Sequence, residues 1–231
     1  YGRAVGHSIF DFYTREFAGV NPETGVSEWN VYWADANGDN VRQATENIKS
    51  MADFEATATA ETLKTVKVSR TATYADGTTK FINKSPFPKV RGAFTLNGGL
   101  GNFDISAQFL YSLGGYAYDG AYANLMNSGG AAGGNNYHTD ILARWTAKGQ
   151  ATDVPRLSAG QDANVNSAST RFITKSDFLT LNNIQIGYKV PSKFFTNSPI
   201  TGVYLWVSGD NLFLASARNG FNPSSAETGS S

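Results

Sequence analysis

The sequence predicts an all-β chain of antiparallel strands, and three observations carry that prediction. Long runs alternate apolar and polar residues with a period of two, most clearly from Phe103 to Leu113. Twenty-four glycines with frequent Asn and Ser supply turn chemistry, while fifteen Phe, eleven Tyr and four Trp favour strands. The spacing of the runs is also asymmetric, with short turns alternating with two long connections, Ala34–Phe87 and Gly114–Thr170. Structureless loops beyond about 12–15 residues are uncommon in compact soluble domains. A transmembrane β-barrel requires them, joining strands of roughly 9–11 residues by short turns on one side and long loops on the other. An antiparallel sandwich with one wet face produces the same alternation, so the strand pattern alone leaves both architectures open.

The elements follow in chain order. Ser8–Val20 and Glu28–Trp33 read as strands flanking the turn Asn21-Pro22-Glu23-Thr24-Gly25, with Trp29, Val31 and Trp33 on one face. Inside the first long connection, Val41–Phe54 is expected to form a helix of about three turns, and Asp53–Leu63 is rich in Ala, Glu and Thr. Thr65–Tyr74 and Thr79–Ile82, joined by Ala75-Asp76-Gly77-Thr78, are expected to make a small hairpin of their own. Val90–Gly98 and Phe103–Leu113 meet at Gly99-Leu100-Gly101-Asn102, a tight hairpin. Gly120–Tyr137 is low in complexity and is expected to be mobile or folded against a partner. Ile184–Val190, Pro191 and a short polar link then lead to a strand around Val203–Phe213. The expectation is six long strands paired by three short turns.

Composition excludes several classes of function. Nineteen basic and nineteen acidic residues cancel, so the chain has no overall electrostatic attraction for nucleic acid or anionic lipid. Without cysteine there is no disulfide framework, thiol nucleophile or cysteine metal site. The longest stretch free of charge, Gly120–Thr139, holds five glycines, four asparagines and one Leu, which rules out a membrane helix. The chain begins at Tyr1 with no initiator Met or signal segment and reads as an interior piece of something larger.

Motifs for chemistry are sparse, and no enzyme activity is expected. His7 and His138 lie 131 positions apart without a metal-ligand partner at helical spacing. No phosphate-binding glycine loop or nucleophile elbow occurs. Asp35, Asn37, Asp39, Val41, Gln43 and Glu46 fall on positions 1, 3, 5, 7, 9 and 12 of a calcium loop. Asn40 stands there in place of the usual glycine and no helix precedes Asp35, so Asp35, Asn37, Asp39 and Glu46 are a calcium candidate set against an ordinary polar turn. Tyr116, Tyr118, Tyr122, Tyr137 and Trp145 suit stacking on sugar rings or peptide side chains, or contact with a capping protein, and serve equally as loop anchors.

Several phrases, in order and spacing, resemble the C-terminal part of the SusC/RagA family of TonB-dependent outer-membrane transporters. They include Gly19-Val20-Asn21-Pro22-Glu23-Thr24-Gly25, Lys84-Ser85-Pro86-Phe87-Pro88-Lys89, Leu113-Gly114-Gly115-Tyr116-Ala117-Tyr118-Asp119-Gly120, His138-Thr139-Asp140-Ile141-Leu142-Ala143-Arg144-Trp145-Thr146, Phe178-Leu179-Thr180-Leu181-Asn182-Asn183-Ile184 and Val207-Ser208-Gly209-Asp210-Asn211-Leu212. The match spans nearly the whole chain except Ala34–Asn83.

The resemblance implies that residues 1–231 form the C-terminal part of a twenty-two-stranded transmembrane barrel. The plug and final strand would lie outside this stretch, and 34–87 and 114–170 would be long extracellular loops. It further implies a TonB-dependent importer of oligosaccharides or peptides, partnered by a SusD-like surface lipoprotein and by the TonB complex, in the outer-membrane lipid. On that topology Pro22–Gly25, Gly99–Asn102 and Ser192–Thr201 are expected on the periplasmic side, and Asp11, Glu16 and Asp104 face the lumen. The competing expectation is a secreted soluble β-sandwich that binds glycans or adheres to surfaces. The outer face of Phe103–Leu113 separates the two, because a barrel leaves it open to lipid and a sandwich buries it.

Overall fold

The computed structural model describes residues 4–130, 136–196 and 198–223. The chain divides into two compact units: Tyr1–Ser85 with Tyr118–Ile173, and Pro86–Ala117 with Thr174–Ser231.

The first unit carries six short strands, β1 (Tyr13–Arg15), β2 (Phe17–Val20), β3 (Ser27–Ala34), β4 (Asn47–Ile48), β5 (Val66–Thr71) and β6 (Thr79–Phe81). Strand β3 organises it. Its alternation buries Ser27, Trp29, Val31 and Trp33 on one face, and it pairs antiparallel with β2, β4 and β5. Trp33 Nε1 donates to Ser69 Oγ at 2.7 Å, which satisfies the one polar atom of a buried indole. Buried Thr78 ties the layers: its hydroxyl donates to the Ile48 carbonyl at 2.6 Å and accepts from the Tyr32 N–H at 2.8 Å.

Three expectations are corrected in this unit. The first strand does not run from Ser8 to Val20 but breaks at Glu16, where β1 turns to β6 and β2 to β3. The Glu16 carboxylate accepts from Tyr32 Oη at 2.8 Å, a bond the break permits. The helix expected over Val41–Phe54 is a 3₁₀ turn at Ala44–Glu46 followed by β4, because pairing Ile48 with Tyr32 buries it. Helix α1 (Met51–Thr57) starts only at the Ser50 cap, whose Oγ accepts from the Asp53 N–H, and α2 (Ala60–Lys64) follows. The expected hairpin of Thr65–Tyr74 with Thr79–Ile82 does not form. Strand β5 pairs with β3 over six residues and β6 pairs with β1, so each adds to a distant strand rather than to its neighbour in sequence.

The second unit is built on four long strands: β7 (Val90–Leu100), β8 (Phe103–Leu113), and, after the short β9 (Tyr116–Tyr118) and β10 (Ile173–Lys175), β11 (Phe178–Val190) and β12 (Val203–Ser216). They form an antiparallel sheet in the order β12-β11-β8-β7, while β9 pairs with β10. The register sorts side chains by face, since directly opposed residues point the same way. One face carries Phe94 and Leu96 of β7, opposed to Phe109 and Ala107 of β8. It continues through Ile105, Ile186 and Val207, and through Phe103, Tyr188 and Leu205. On this face Phe94 stacks on Phe109 with ring centroids 5.0 Å apart, and Phe103 meets Tyr188 at 4.6 Å.

A bulge keeps that sorting intact. Leu179 and Leu181 are odd-numbered, whereas Ile184, Ile186 and Tyr188 are even, so an unbroken strand would turn one set to the wrong side. Between Leu181 and Asn183 the register shifts against both neighbours, leaving Asn182 as the extra residue. On β12 the matching irregularity puts Asn211 at φ +53°, a conformation that Asn tolerates.

Candidate functional site

The polar face of the four-stranded sheet is a ladder of side-chain hydrogen bonds running across strands. Tyr204 Oη donates to Asp104 Oδ2 at 2.8 Å, Asn183 Nδ2 to Asp210 Oδ1 at 2.7 Å, and Asn182 Nδ2 to Gln108 Oε1 at 2.8 Å. Tyr204 reaches Asp104 by lying across Gly187, where a Cβ would collide with its phenol. The opposite face is open: Leu96 is 60 %, Phe103 57 %, Ile105 44 % and Val207 66 % exposed. Isolated exposed apolar residues are ordinary, but a continuous apolar face over four strands marks a surface made for something other than water.

The aromatic residues singled out by sequence take several roles within the described structure. In the first unit, helix α3 (Gly120–Leu125) is capped by Asp119, whose Oδ1 accepts from the Tyr122 N–H at 2.9 Å. Tyr122 itself packs on the buried cluster of Ala123, Met126, Ile141 and Phe172. Its phenol donates to Asp140 Oδ2 at 2.7 Å, and its ring meets His138 edge-on. Burial, reinforced by Asp140, pushes the Tyr122 phenol up to about 12. Tyr118 stands edge-on to Phe172, and burial raises its pKa as well. Tyr137 is partly exposed at 38 %. Tyr116 lies on β9. The low-complexity stretch Gly120–Tyr137 is therefore ordered through α3 and buried Met126, while residues 131–135 lie outside the described structure.

Trp145 is a structural clasp. Its Nε1 donates to the Pro22 carbonyl at 2.9 Å and its ring covers Gly25. Gly149 N also donates to Pro22 O at 2.8 Å, and Arg156 N to Gly25 O at 2.9 Å. The turn expected on the periplasmic side is thus bonded to the connection expected outside. A turn across a bilayer cannot make those bonds, so the placement of Pro22–Gly25 opposite residues 114–170 is corrected: both belong to one unit on one side.

In the calcium candidate most side-chain oxygens are already engaged, Asp35 Oδ1 being buried without a partner. The Lys67 ammonium bonds Asp35 Oδ2 and Asn40 Oδ1, and holds the Asp35 carboxyl below the usual carboxylate range. Asp39 accepts from Val41 N at 2.7 Å and from Asn37 Nδ2 at 2.9 Å, and Glu46 accepts from Ala36 N and Gln43 N. Asn40 does take the left-handed conformation, at φ +61°. Among the described residues no group of three or more His, Cys, Asp or Glu side chains is arranged to hold a metal.

A further pocket is built from residues that no motif marked: Phe17, Ala18, Gly19, Asp153 and Arg171 line an open depression of about 390 Å³. Its signal in the sequence is faint, a glycine beside an aromatic residue on β2 and two charges on distant connections.

No family model matches the chain. A TonB-dependent receptor P3 of Formosa agariphila is 30% identical over 122 residues, which is 53% of this chain and 11% of that receptor. The structure of the RagAB peptide transporter superposes with a TM-score of 0.65 at 24% identity, covering 92% of this chain and 20% of the matched one. The RagAB peptide importer in its open-open state gives 0.63, with the same identity and 19% of its chain. The chain is similar in sequence to part of a TonB-dependent receptor and has the fold of part of the RagAB structures. It spans about a tenth of the curated relative's length and a fifth of the solved chains. The matched fold is that of an outer-membrane β-barrel piece, and the two faces of the long-stranded sheet suit a barrel wall. In such a barrel wall the apolar face would be the one that hydrocarbon covers, and the hydrogen-bonded face the one turned to a polar interior.

Proposed function

We propose that this chain supplies barrel wall and outer-side structure to an importer that carries oligosaccharides or peptides across the outer membrane. The receptor would be energised by the TonB complex and work with a SusD-like surface lipoprotein. The single observation that carries the reading is the exposed apolar face centred on Phe103–Leu113. A soluble sandwich would have buried it under a second sheet. Short links at residues 101–102 and 191–202 join the long strands at one end, and the long connections leave from the opposite strand ends, Val90, Leu113 and Phe178. In outer-membrane barrels short turns are periplasmic and long insertions extracellular, so the first unit belongs outside.

The tyrosines of the second connection, Tyr116, Tyr118 and Tyr137 above all, are proposed to contact substrate or the capping lipoprotein. Tyr122 and Trp145 support them from within. RagAB is named for peptide transport, so a peptide stands beside a glycan as a candidate cargo for the present receptor. Growth of a strain lacking the full-length receptor decides: wild-type cells grow on an oligopeptide or oligosaccharide as sole source, the deletion strain does not, and loss of TonB gives the same defect. Unimpaired growth of the deletion strain on every oligomer tested would overturn the proposal.

A further inference from the structure

The pocket at the β2 bulge holds two opposite charges that do not pair. The register of β2 against β3 slips between Phe17 and Gly19, leaving Ala18 as the extra residue. Gly19 sits at φ +108°, and a Cβ built there would meet nothing within 4 Å, so the floor of the pocket is open. Bulges recur beside functional sites because they re-aim the chain. Over this floor stands Arg171, at the end of the second connection. Its guanidinium is 4.9 Å from the Phe172 ring centroid and 5.4 Å from that of Phe17. It donates from Nη1 to the Val165 carbonyl at 2.8 Å, and no carboxylate among the described residues stands within ion-pair distance of it. Four of its five N–H donors therefore have no acceptor among those residues. The surroundings are dry enough that burial lowers its pKa from 12.5 to about 10. Asp153 lines the same pocket and is exposed.

A partly buried guanidinium whose nearby opposite charge, Asp153, acts on it without forming an ion pair keeps donors that an incoming anion can engage. A carboxylate a short distance away that does not close onto it leaves room for a cation on the same ligand. We propose that the Phe17–Gly19, Asp153 and Arg171 pocket binds a small zwitterion of amino-acid or dipeptide size, its carboxylate on Arg171 and its ammonium on Asp153. The volume of about 390 Å³ lies within the range of small-molecule sites. The bulge supplies the cavity, and Phe17 supplies an apolar wall. Nothing in this assignment requires that the receptor transport what the pocket binds, so it stands apart from the importer reading.

Calorimetric titration of the full-length receptor in detergent tests it with L-alanyl-L-alanine, its C-terminal amide and its N-acetyl form. Dialanine should bind the wild type at least about tenfold more tightly than the amide, because a charge-assisted bond is lost. Arg171→Gln should abolish that preference while leaving the preference over the N-acetyl form. Asp153→Asn, at an exposed position where folding is not at stake, should do the reverse. Arg171→Lys, which keeps the charge and loses the planar fork, should fall between. No binding of dialanine, or preferences that survive both Arg171→Gln and Asp153→Asn, would overturn the assignment. So would an unchanged preference over the N-acetyl form in Asp153→Asn, which would mark a simple anion site.

Discussion

Gly25 is where the clasp between the first turn and the second connection can be broken by one methyl group. Its φ is +74°, and a Cβ placed there would come within 2.5 Å of Trp145 Cδ2 and 3.1 Å of Arg156 Cβ. Gly25→Ala therefore combines two penalties, about 1–2 kcal/mol for a side chain in the left-handed region and about 1–3 kcal/mol for overpacking against the indole. Gly38 is the matched control, with φ +76° and nothing within 4 Å of a built Cβ. Gly38→Ala carries the backbone penalty alone, and the stiffening of the unfolded chain is common to both. The difference of about 1–3 kcal/mol isolates the collision and corresponds to roughly 5- to 150-fold in local opening. The assay is tryptic cleavage at Arg144 and Lys148 in the full-length receptor, under conditions where cleavage follows the opened population. If Gly25→Ala is cleaved no faster than Gly38→Ala, the clasp is not holding the connection down.

Three further outcomes follow from the same geometry. Ile105→Lys should impair outer-membrane assembly, at a cost of about 2–4 kcal/mol near mid-bilayer, while Ser106→Lys on the neighbouring polar face should assemble normally by heat-modifiability on gels. Arg156 grips Asp162 through two bonds of 2.7 and 2.8 Å and depresses its pKa. The stability this gives is present above the ordinary aspartate value and is lost as pH falls below it, so Arg156→Gln should remove an acid-dependent rise in proteolysis that the wild type shows below about pH 4. Calcium added to the wild-type receptor should leave cleavage around Asp35–Glu46 unchanged, whereas Lys67→Met, which frees Asp35 and Asn40, should make that cleavage calcium-sensitive.

The long-stranded sheet was legible because membrane-facing strands obey a strict rule. Alternation over Phe103–Leu113 located β8 to the residue, and the glycines at 98, 99 and 101 located its hairpin. The start of β11 at Phe178 was less visible, since the bulge at Asn182 reverses the phase of Leu179 and Leu181 relative to Ile184. That reversal is itself a readable sign of an extra residue. The first unit was not legible in the same way. Ser8–Val20 looks like a strand to periodicity, but its break at Glu16 depends on Tyr32, and β5 was drawn from its local hairpin by β3, nearly forty residues earlier. Such choices are made by packing between distant segments, which a local pattern does not carry. At the candidate sites, Asp35, Asn37, Asp39 and Glu46 had calcium spacing, yet the residue that fills their centre, Lys67, comes from another strand. The Arg171 pocket was silent for the same reason: its charges and its bulge come from three separated stretches.

Which side of β8 meets lipid decides the barrel-wall assignment; these 231 residues contain no cysteine, and any elsewhere in the full-length receptor is replaced before a labelling scan. Single cysteines placed from Asp104 to Ser112 in the full-length receptor, labelled with an environment-sensitive fluorophore and reconstituted with brominated lipids, measure this residue by residue. Quenching should alternate with period two, strong at Ile105, Ala107, Phe109 and Tyr111 and weak at Asp104, Ser106, Gln108, Leu110 and Ser112. Uniformly weak quenching along the strand, or the inverse alternation, would contradict the barrel-wall assignment.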